Sequence, residues 1–304
     1  MPDSIKLQDK GPTLQGSMAQ VAELFKAHKS FSIELWPART EIAQRKLDQS
    51  LVEFASLNPS FVSITYGAAG STREKTHELV VRIKNETSMV PMAHLTCASQ
   101  TKKELIDILQ RYKQAGIDNI LAIHGDPPLN SDSNLEEGEL RHAIELVELA
   151  RSIGGFNIAV AAHPEGHPSS NDIKMDRFYL TQKLKRADFG ITQFFFDKKL
   201  YLDLLEDLDN LGVKKPVLPG IMPITRLSAI YKMAQLSGTE VPHSLRSRLE
   251  KVQDKPDEIR RIGIEVATQL AQDLLDESVP GLHFYTMNDA WVTKEIFSNL
   301  GLAR

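Results

Sequence analysis

The chain has 304 residues, a net charge of −4 and 41% hydrophobic residues, so nothing in its composition favours nucleic-acid binding or disorder. Its single cysteine, Cys97, excludes an intrachain disulfide and a cysteine-rich zinc site. The polar N-terminus has no signal-peptide core, and no window reaches the roughly 18 apolar residues of a membrane span, so we expect a cytoplasmic protein.

Apolar segments alternate with charged segments of helical period along the chain. Residues 1–16 are predicted to be frayed, and residues 17–28 to be helical. Strands are predicted at FSIELW (31–36), FVSITYG (61–67), PMAHLTC (91–97), NILAIHG (119–125), FNIAVAAHP (156–164), FGITQFFF (189–196), PVLPGIMP (216–223) and GLHFYTM (281–287). Helices are predicted at 41–57, 73–86, 102–115, 138–153, 173–187, 198–211, within 226–277 and at 289–300.

This alternation predicts the α/β class, with right-handed βαβ units and a parallel sheet. Eight repeats predict a (β/α)₈ TIM barrel that occupies residues 17–304 as one domain. The 226–277 segment is long enough for two or three helices, with starts at Pro242 and Pro256. An open doubly wound sheet is the rival fold, but G-x-G-x-x-G and the P-loop pattern are both absent.

Polar residues at the strand ends are the candidates for chemistry, because barrel active sites lie at that end. Strand parity places one set of them on the inner face: Glu34, Thr65, His94, His124, Asp126 and Gln193. Glu34 within an apolar strand is either ion-paired or a general acid whose pKa is raised by burial. Asp126, before two prolines, is also typical of a turn. Gln193 is a neutral amide suited to the edge of a heterocycle.

Four histidines near strand ends leave a metal-dependent barrel hydrolase open as an alternative. They are His94, His124, His163 and His167. No His-x-His occurs on the first strand, and the HPEGH segment contains Pro and Gly, so it cannot place two ligands on one helical face. His283 and the aromatic run at 194–196 are interpreted as core.

Eight motifs in order resemble those of the methylenetetrahydrofolate reductase family, in its bacterial catalytic-domain form. They are FSIELWPART, FVSITYGAAGS, AHLTC, HGDPP, VAAHPEGHP, ITQFFFD, LPGIMPI and HFYTMN, between about residues 30 and 301. The resemblance implies an FAD-bearing barrel. NAD(P)H would reduce the flavin, which would then pass hydride to 5,10-methylenetetrahydrofolate and give 5-methyltetrahydrofolate.

The resemblance also implies roles for individual residues. Glu34 matches the general acid, and Asp126 matches the aspartate that tunes the flavin and stabilises the iminium cation. Gln193 matches a contact to pterin and nicotinamide. Positions that match cofactor contacts are Thr65, His94, His124, Gly125, Asp126, His163, His167, Asp176 and Lys183.

Several positions depart from the family pattern. His124 stands where Arg is common, His163 where Tyr is common, and Gln182 where a basic residue is usual. At the substrate positions, Met233 replaces an aromatic residue and Asp289 replaces an arginine. Fewer positive charges at the ligand surface imply weaker flavin binding, which leaves a folate-binding barrel as a further alternative.

The family likeness further suggests a homo-oligomer. The sequence printed here ends at Arg304, directly after the predicted eighth helix, and we therefore expect no inhibition by S-adenosylmethionine.

Overall fold

Eight parallel strands close into a barrel in chain order, and β8 pairs back to β1. The computed structural model describes residues 21, 22, 25, 28–67, 73–125, 138–170 and 172–302. The strands are β1 (Ser30–Leu35), β2 (Phe61–Ile64), β3 (Pro91–Thr96), β4 (Asn119–Ile123), β5 (Asn157–Ala162), β6 (Phe189–Phe194), β7 (Val217–Ile221) and β8 (Gly281–Tyr285). The predicted barrel and all eight predicted strands are confirmed.

Helices cover the outside of the barrel. They are α1 (Glu41–Ser56), α2 (Arg73–Glu86), α3 (Lys102–Gln114), α4 (Ala143–Ile153), α5 (Ile173–Arg186), α6 (Lys198–Asn210), α7 (Leu227–Ser237), α8 (His243–Glu250), α9 (Pro256–Asp276) and α10 (Ala290–Asn299). Three of them lie between β7 and β8, as the length of the 226–277 segment predicted. Pro242 is the N-cap residue of α8, and Pro256 begins α9, because proline is compatible with a helix start.

The start of α4 differs from the prediction, which placed it at residue 138. The helix begins at Ala143, after an N-cap residue at His142. The Glu145 carboxylate accepts hydrogen bonds from the backbone N–H groups of Arg141 and His142, both at 2.8 Å. This carboxylate satisfies backbone donors at the helix start, so the charged residues before it do not continue the helix.

An apolar layer fills the barrel interior at its N-terminal end. It is formed by alternate strand positions: Phe61, Met92, Leu121, Ala159, Phe189, Ile191 and Leu218. The helical residues 21, 22 and 25 lie against this end. Val21 belongs to the same cluster, and the ring centroid of Phe25 lies 4.9 Å from that of Phe189. Bulky side chains therefore fill the lower barrel, and at its rim the buried Asn119 amide oxygen accepts from the backbone N–H of Val21 at 3.2 Å.

The Tyr285 ring from β8 lies against β7 at the upper end of the barrel, where the pairing of β6 with β7 is irregular. The pairing shifts between Ile191 and Phe194. The Tyr285 hydroxyl donates to the carbonyl oxygen of Thr192 at 2.5 Å. A Cβ at Gly220 would lie 2.5 Å from the Tyr285 ring and would also collide with that carbonyl oxygen. Glycine at this position therefore lets the ring cross the inner face of β7.

Gly263 on α9 gives a test of the helix packing after β7. A Cβ there would collide with the backbone of Ile224. We expect Gly263→Ala to lower the free energy of unfolding by roughly 1 to 3 kcal/mol, although alanine usually favours a helix. Urea denaturation measures this change, and Gln269→Ala on the exposed face of the same helix is the control. A Gly263→Ala variant as stable as the parent would contradict this close contact.

Candidate functional site

The Glu34 carboxyl lies on the inner face of β1, near the C-terminal end of the barrel. Its side chain is only 9% exposed. The Trp36 indole Nε1–H donates to Glu34 Oε1 at 2.9 Å. Burial raises the pKa of this carboxyl to about 7, and the hydrogen bond from Trp36 opposes the rise. Glu34 therefore holds a proton at neutral pH far more often than an exposed glutamate does.

His94 on β3 faces Glu34 across the interior. Its Nε2 lies 3.8 Å from Glu34 Oε2, which is beyond hydrogen-bond distance. Burial lowers the pKa of the imidazole to about 3, so the ring is neutral near pH 7. Within the part of the chain that the structure describes, Nε2 is buried and has no hydrogen-bond partner. Because the His94 ring is neutral, its contact with Glu34 is not an ion pair in either protonation state of the carboxyl, and the ion-pair alternative for Glu34 finds no support in this contact.

His283 on β8 is satisfied within the core, as its sequence context predicted. Ser32 Oγ lies 2.8 Å from its Nδ1, and Ser63 Oγ lies 3.4 Å from its Nε2. Its ring stacks on that of Phe61, with centroids 5.9 Å apart. These contacts hold the imidazole inside the barrel beside Ser32, closer to the N-terminal end than Glu34 is.

Gln193 lies at the upper end of β6 and is partly buried. Its Oε1 accepts from the backbone N–H of Phe194 at 3.0 Å. The side chain lines a small cleft together with His163, Glu165 and Thr239. Gln193 thus lies beside the loop after β5, where a planar ligand could contact its amide.

A cluster of charged and imidazole groups surrounds the end of β5. The His163 and His167 rings meet edge to face with centroids 4.7 Å apart, and His167 N donates to Asp176 Oδ1 at 3.3 Å. Lys183 Nζ donates to the carbonyl oxygen of Ala161 at 2.9 Å. The structure thus brings four predicted cofactor contacts together: His163, His167, Asp176 and Lys183.

Burial also shifts the acid–base behaviour of this cluster. It lowers the pKa of His163 to about 3, and the positive groups of its neighbours add to the effect. It lowers the pKa of Lys183 to about 8, against the opposing influence of the Asp176 carboxylate. A bound anion would raise the pKa of Lys183 again, because it would stabilise the ammonium form.

Arg177 holds the backbone of this cluster, a role that was not predicted. Its guanidinium donates to the carbonyl oxygens of His163 at 2.8 Å and of Pro164 at 2.6 Å. It also pairs with the carboxylates of Asp176 and Asp207 at 3.2 Å each. The available indication was helical spacing, which places Arg177 on the same face of α5 as the apolar residues Leu180 and Leu184.

The predicted contacts after β2 and β4 are placed only in part. Thr65 follows β2 and is partly buried, and His124 follows β4 and is exposed. His124 Nδ1 lies 2.9 Å from the carbonyl oxygen of Gly125. Gly125 has φ of +101°, and a Cβ there would lie 2.8 Å from Thr96 Cβ, so both conformation and space require glycine. Asp126 lies outside the described residues, and its role stays a prediction.

The two departures at the substrate positions have structural contacts of their own. Met233 on α7 packs against the apolar cluster beneath α7, α8 and α9. Asp289 is the N-cap residue of α10, where its Oδ1 accepts from Val292 N at 3.2 Å. Contact of either residue with substrate stays a prediction.

The described residues offer neither a metal site nor a membrane-spanning helix. Among them, no group of three His, Cys, Asp or Glu side chains could hold a metal ion. The same residues include no helix with the length and apolar character needed to cross a bilayer.

Several known proteins are similar to this chain over most of its length. The family model for methylenetetrahydrofolate reductase matches residues 17–301. A 5,10-methylenetetrahydrofolate reductase from Escherichia coli is 33% identical, with 89% of this chain and 90% of the relative covered. Methylenetetrahydrofolate reductase (NADH) 1 from Arabidopsis thaliana is 34% identical over 90% of this chain, which spans 48% of that relative's length.

A solved structure shows the same architecture at low sequence identity. It is an uncharacterized protein from Clostridium thermocellum that binds two copies of 5-methyl-5,6,7,8-tetrahydrofolic acid, with a TM-score of 0.62 and 14% identity. The match covers 94% of this chain and 98% of that one. At this identity the similarity concerns the fold.

The raised pKa of Glu34 predicts a pH-dependent difference in stability. A carboxyl whose pKa is higher in the folded than in the unfolded state stabilises the fold at low pH, and this contribution is lost as pH rises toward 7. The free energy of unfolding of the parent relative to Glu34→Gln should fall by roughly 2 to 3 kcal/mol between pH 5 and pH 8. Urea denaturation at both pH values measures it.

The matched control is Glu295→Gln, at an exposed position on α10. Its difference from the parent should be similar at the two pH values. A Glu34→Gln difference equally independent of pH would contradict the raised pKa.

Proposed function

The chain belongs to the methylenetetrahydrofolate reductase family, and from this premise we propose that it reduces 5,10-methylenetetrahydrofolate to 5-methyltetrahydrofolate with NAD(P)H through bound FAD. The observation that carries the proposal is the buried Glu34 carboxyl, which keeps its proton to about pH 7 at the mouth of the barrel. Folate reduction needs such a proton donor.

Two incompletely satisfied polar groups fit a flavin nucleotide. His94 Nε2 is buried without a hydrogen-bond partner among the described residues. Lys183 has three N–H donors, and the structure describes one acceptor for them, the carbonyl oxygen of Ala161. We propose that Lys183 and His167 hold the anionic part of FAD and that His94 contacts its ring system. FAD supplies hydride transfer, a chemistry that protein side chains lack.

Glu34 would act as the general acid on the folate. The five-membered ring of methylenetetrahydrofolate has to open to a 5-iminium cation before it can accept hydride, and opening requires a proton on the N10 leaving nitrogen. A carboxyl with a pKa near the working pH serves this step, because it is often protonated and still gives up its proton. His94 stays neutral beside it and does not compete as an acid.

Gln193 and Asp126 complete the proposed site. The Gln193 amide can donate to and accept from a heterocycle, so one side chain would serve pterin in one half-reaction and nicotinamide in the other. This sharing is consistent with a ping-pong order. Asp126 is proposed, on the family resemblance alone, to tune the flavin and stabilise the iminium cation. A cytoplasmic location and a homo-oligomeric state also stay predictions.

Flavin binding is the first test. Purified protein, or protein incubated with FAD, should show the visible absorption of a bound flavin. Lys183→Met should weaken FAD binding at least about tenfold, because one charge-assisted contact to phosphate is lost. Lys185→Met removes the same charge from an exposed position on the same helix and should leave the affinity unchanged. A parent protein that is colourless and binds no added FAD would refute the cofactor assignment.

The two half-reactions separate the role of Glu34. Glu34→Gln should lower the rate of folate reduction by at least about a hundredfold, since the proton donor is removed. NAD(P)H oxidation with a quinone acceptor should change less than about twofold, because that half-reaction needs no proton on N10. Stopped-flow absorbance measures both rates. Equal loss of the two would argue against a general-acid role, and folate binding without turnover in the parent would favour the binding-protein alternative.

A further inference from the structure

The two oxygens of the Glu34 carboxyl have different surroundings. Oε1 accepts the indole N–H of Trp36 at 2.9 Å, whereas Oε2 faces His94 Nε2 at 3.8 Å. An indole N–H can only donate a hydrogen bond. Oε1 therefore acts as the acceptor. Because a carbonyl oxygen accepts a hydrogen bond more strongly than a hydroxyl oxygen, this contact favours the neutral form with the proton on Oε2. The indole thereby selects which oxygen can deliver a proton.

Trp36 is itself held by a residue from the other end of the chain. Asn288 Oδ1 accepts from Trp36 N, and Asn288 Nδ2 donates to Trp36 O, each at 2.9 Å. Asn288 has φ of +60°, a conformation that asparagine tolerates better than most residues. Its carbonyl oxygen accepts from Ser50 Oγ on α1 at 2.9 Å. The backbone of Trp36 is thus fixed from both sides.

We propose that Trp36 is a positioning residue for the general acid: its indole N–H places the transferable proton on Glu34 Oε2, and Asn288 holds Trp36 in that position. The catalytic consequence rests on the proposed function. The hydrogen bond and its effect on Glu34 do not, and they can be measured without turnover.

A donor to a carboxylate stabilises the ionised form, so the indole limits how far burial raises the pKa of Glu34. The titratable groups that face Glu34 among the described residues are His94 on β3 and Tyr285 on β8, with His283 below them. Burial lowers the pKa of both imidazoles to about 3 and raises the pKa of Tyr285 above its usual range. None of these three groups changes charge between pH 5 and 9, so a titration near neutrality reports Glu34.

Nuclear magnetic resonance of the two indole N–H groups tests the contact directly. The chain has two tryptophans, Trp36 and the half-exposed Trp291, which serves as an internal control. In protein labelled with ¹⁵N at the indole nitrogens, the Trp36 proton should move downfield with a midpoint near pH 7, while that of Trp291 stays in place. Trp36→Phe assigns the signal, and Glu34→Gln should abolish its movement. A Trp36 signal that does not move, or moves equally in Glu34→Gln, overturns the proposal.

Half-reaction kinetics test the consequence. Trp36→Phe keeps an aromatic ring and removes the N–H. The alkaline limb of the pH–rate profile for folate reduction should move up by about one pH unit in this variant. The maximal rate of folate reduction should fall about tenfold. NAD(P)H oxidation by a quinone should be unchanged. Asn288→Gly, which tolerates the same backbone conformation, should move the limb in the same direction by a smaller amount.

The outcomes separate the two proposals. An unshifted alkaline limb in Trp36→Phe, or equal loss of both half-reactions, overturns the positioning role. A parent protein that shows the indole titration but reduces no folate contradicts the proposed function and leaves the Trp36–Glu34 contact standing.

Discussion

The pairing of β8 with β1 closes the barrel, and the Glu34 carboxyl depends on this closure for its environment. The register places Glu34 opposite Tyr285 and Ser30 opposite Gly281. A Cβ at Gly281 would collide with the backbone of Ser30, so glycine is required for the two strands to meet. Beyond the last pair, Thr286 Oγ1 donates to the carbonyl oxygen of Glu34 at 2.6 Å. The chain thus continues the contact between the two strands past the point where the sheet ends.

Burial of polar groups gives the mouth its chemistry. A low-dielectric interior disfavours charge on either kind of group, so the carboxyl of Glu34 keeps its proton and the imidazole of His94 loses its own. Below about pH 7 the two groups are therefore neutral side by side. Were both charged, the close approach would form an ion pair, and Glu34 would lose its capacity to donate a proton near pH 7.

The mouth is divided into two sides of different character. Strands β1, β3 and β8 supply the neutral acid side, with Glu34, His94 and Tyr285. The loop after β5 and helix α5 supply the cationic side, where Arg177 orders the backbone and Lys183 projects an ammonium group. Gln193 on β6 lies beside the loop after β5. The proposed reaction divides in the same way, with proton transfer to folate on one side and the anionic part of the cofactor on the other.

The sequence by itself determined the order of strands and helices, because apolar periods of two and 3.6 residues are local properties of the chain. It also placed Glu34, His94 and Gln193 on the inner face, because parity within a strand is local as well. Only the tertiary structure decided that Trp36 donates to Glu34 and that Asn288 holds Trp36. Trp36 and Asn288 are 252 residues apart, and their contact requires barrel closure and left-handed backbone at Met287 and Asn288. Such a contact follows from the path of a loop in space, which no periodicity in the sequence encodes.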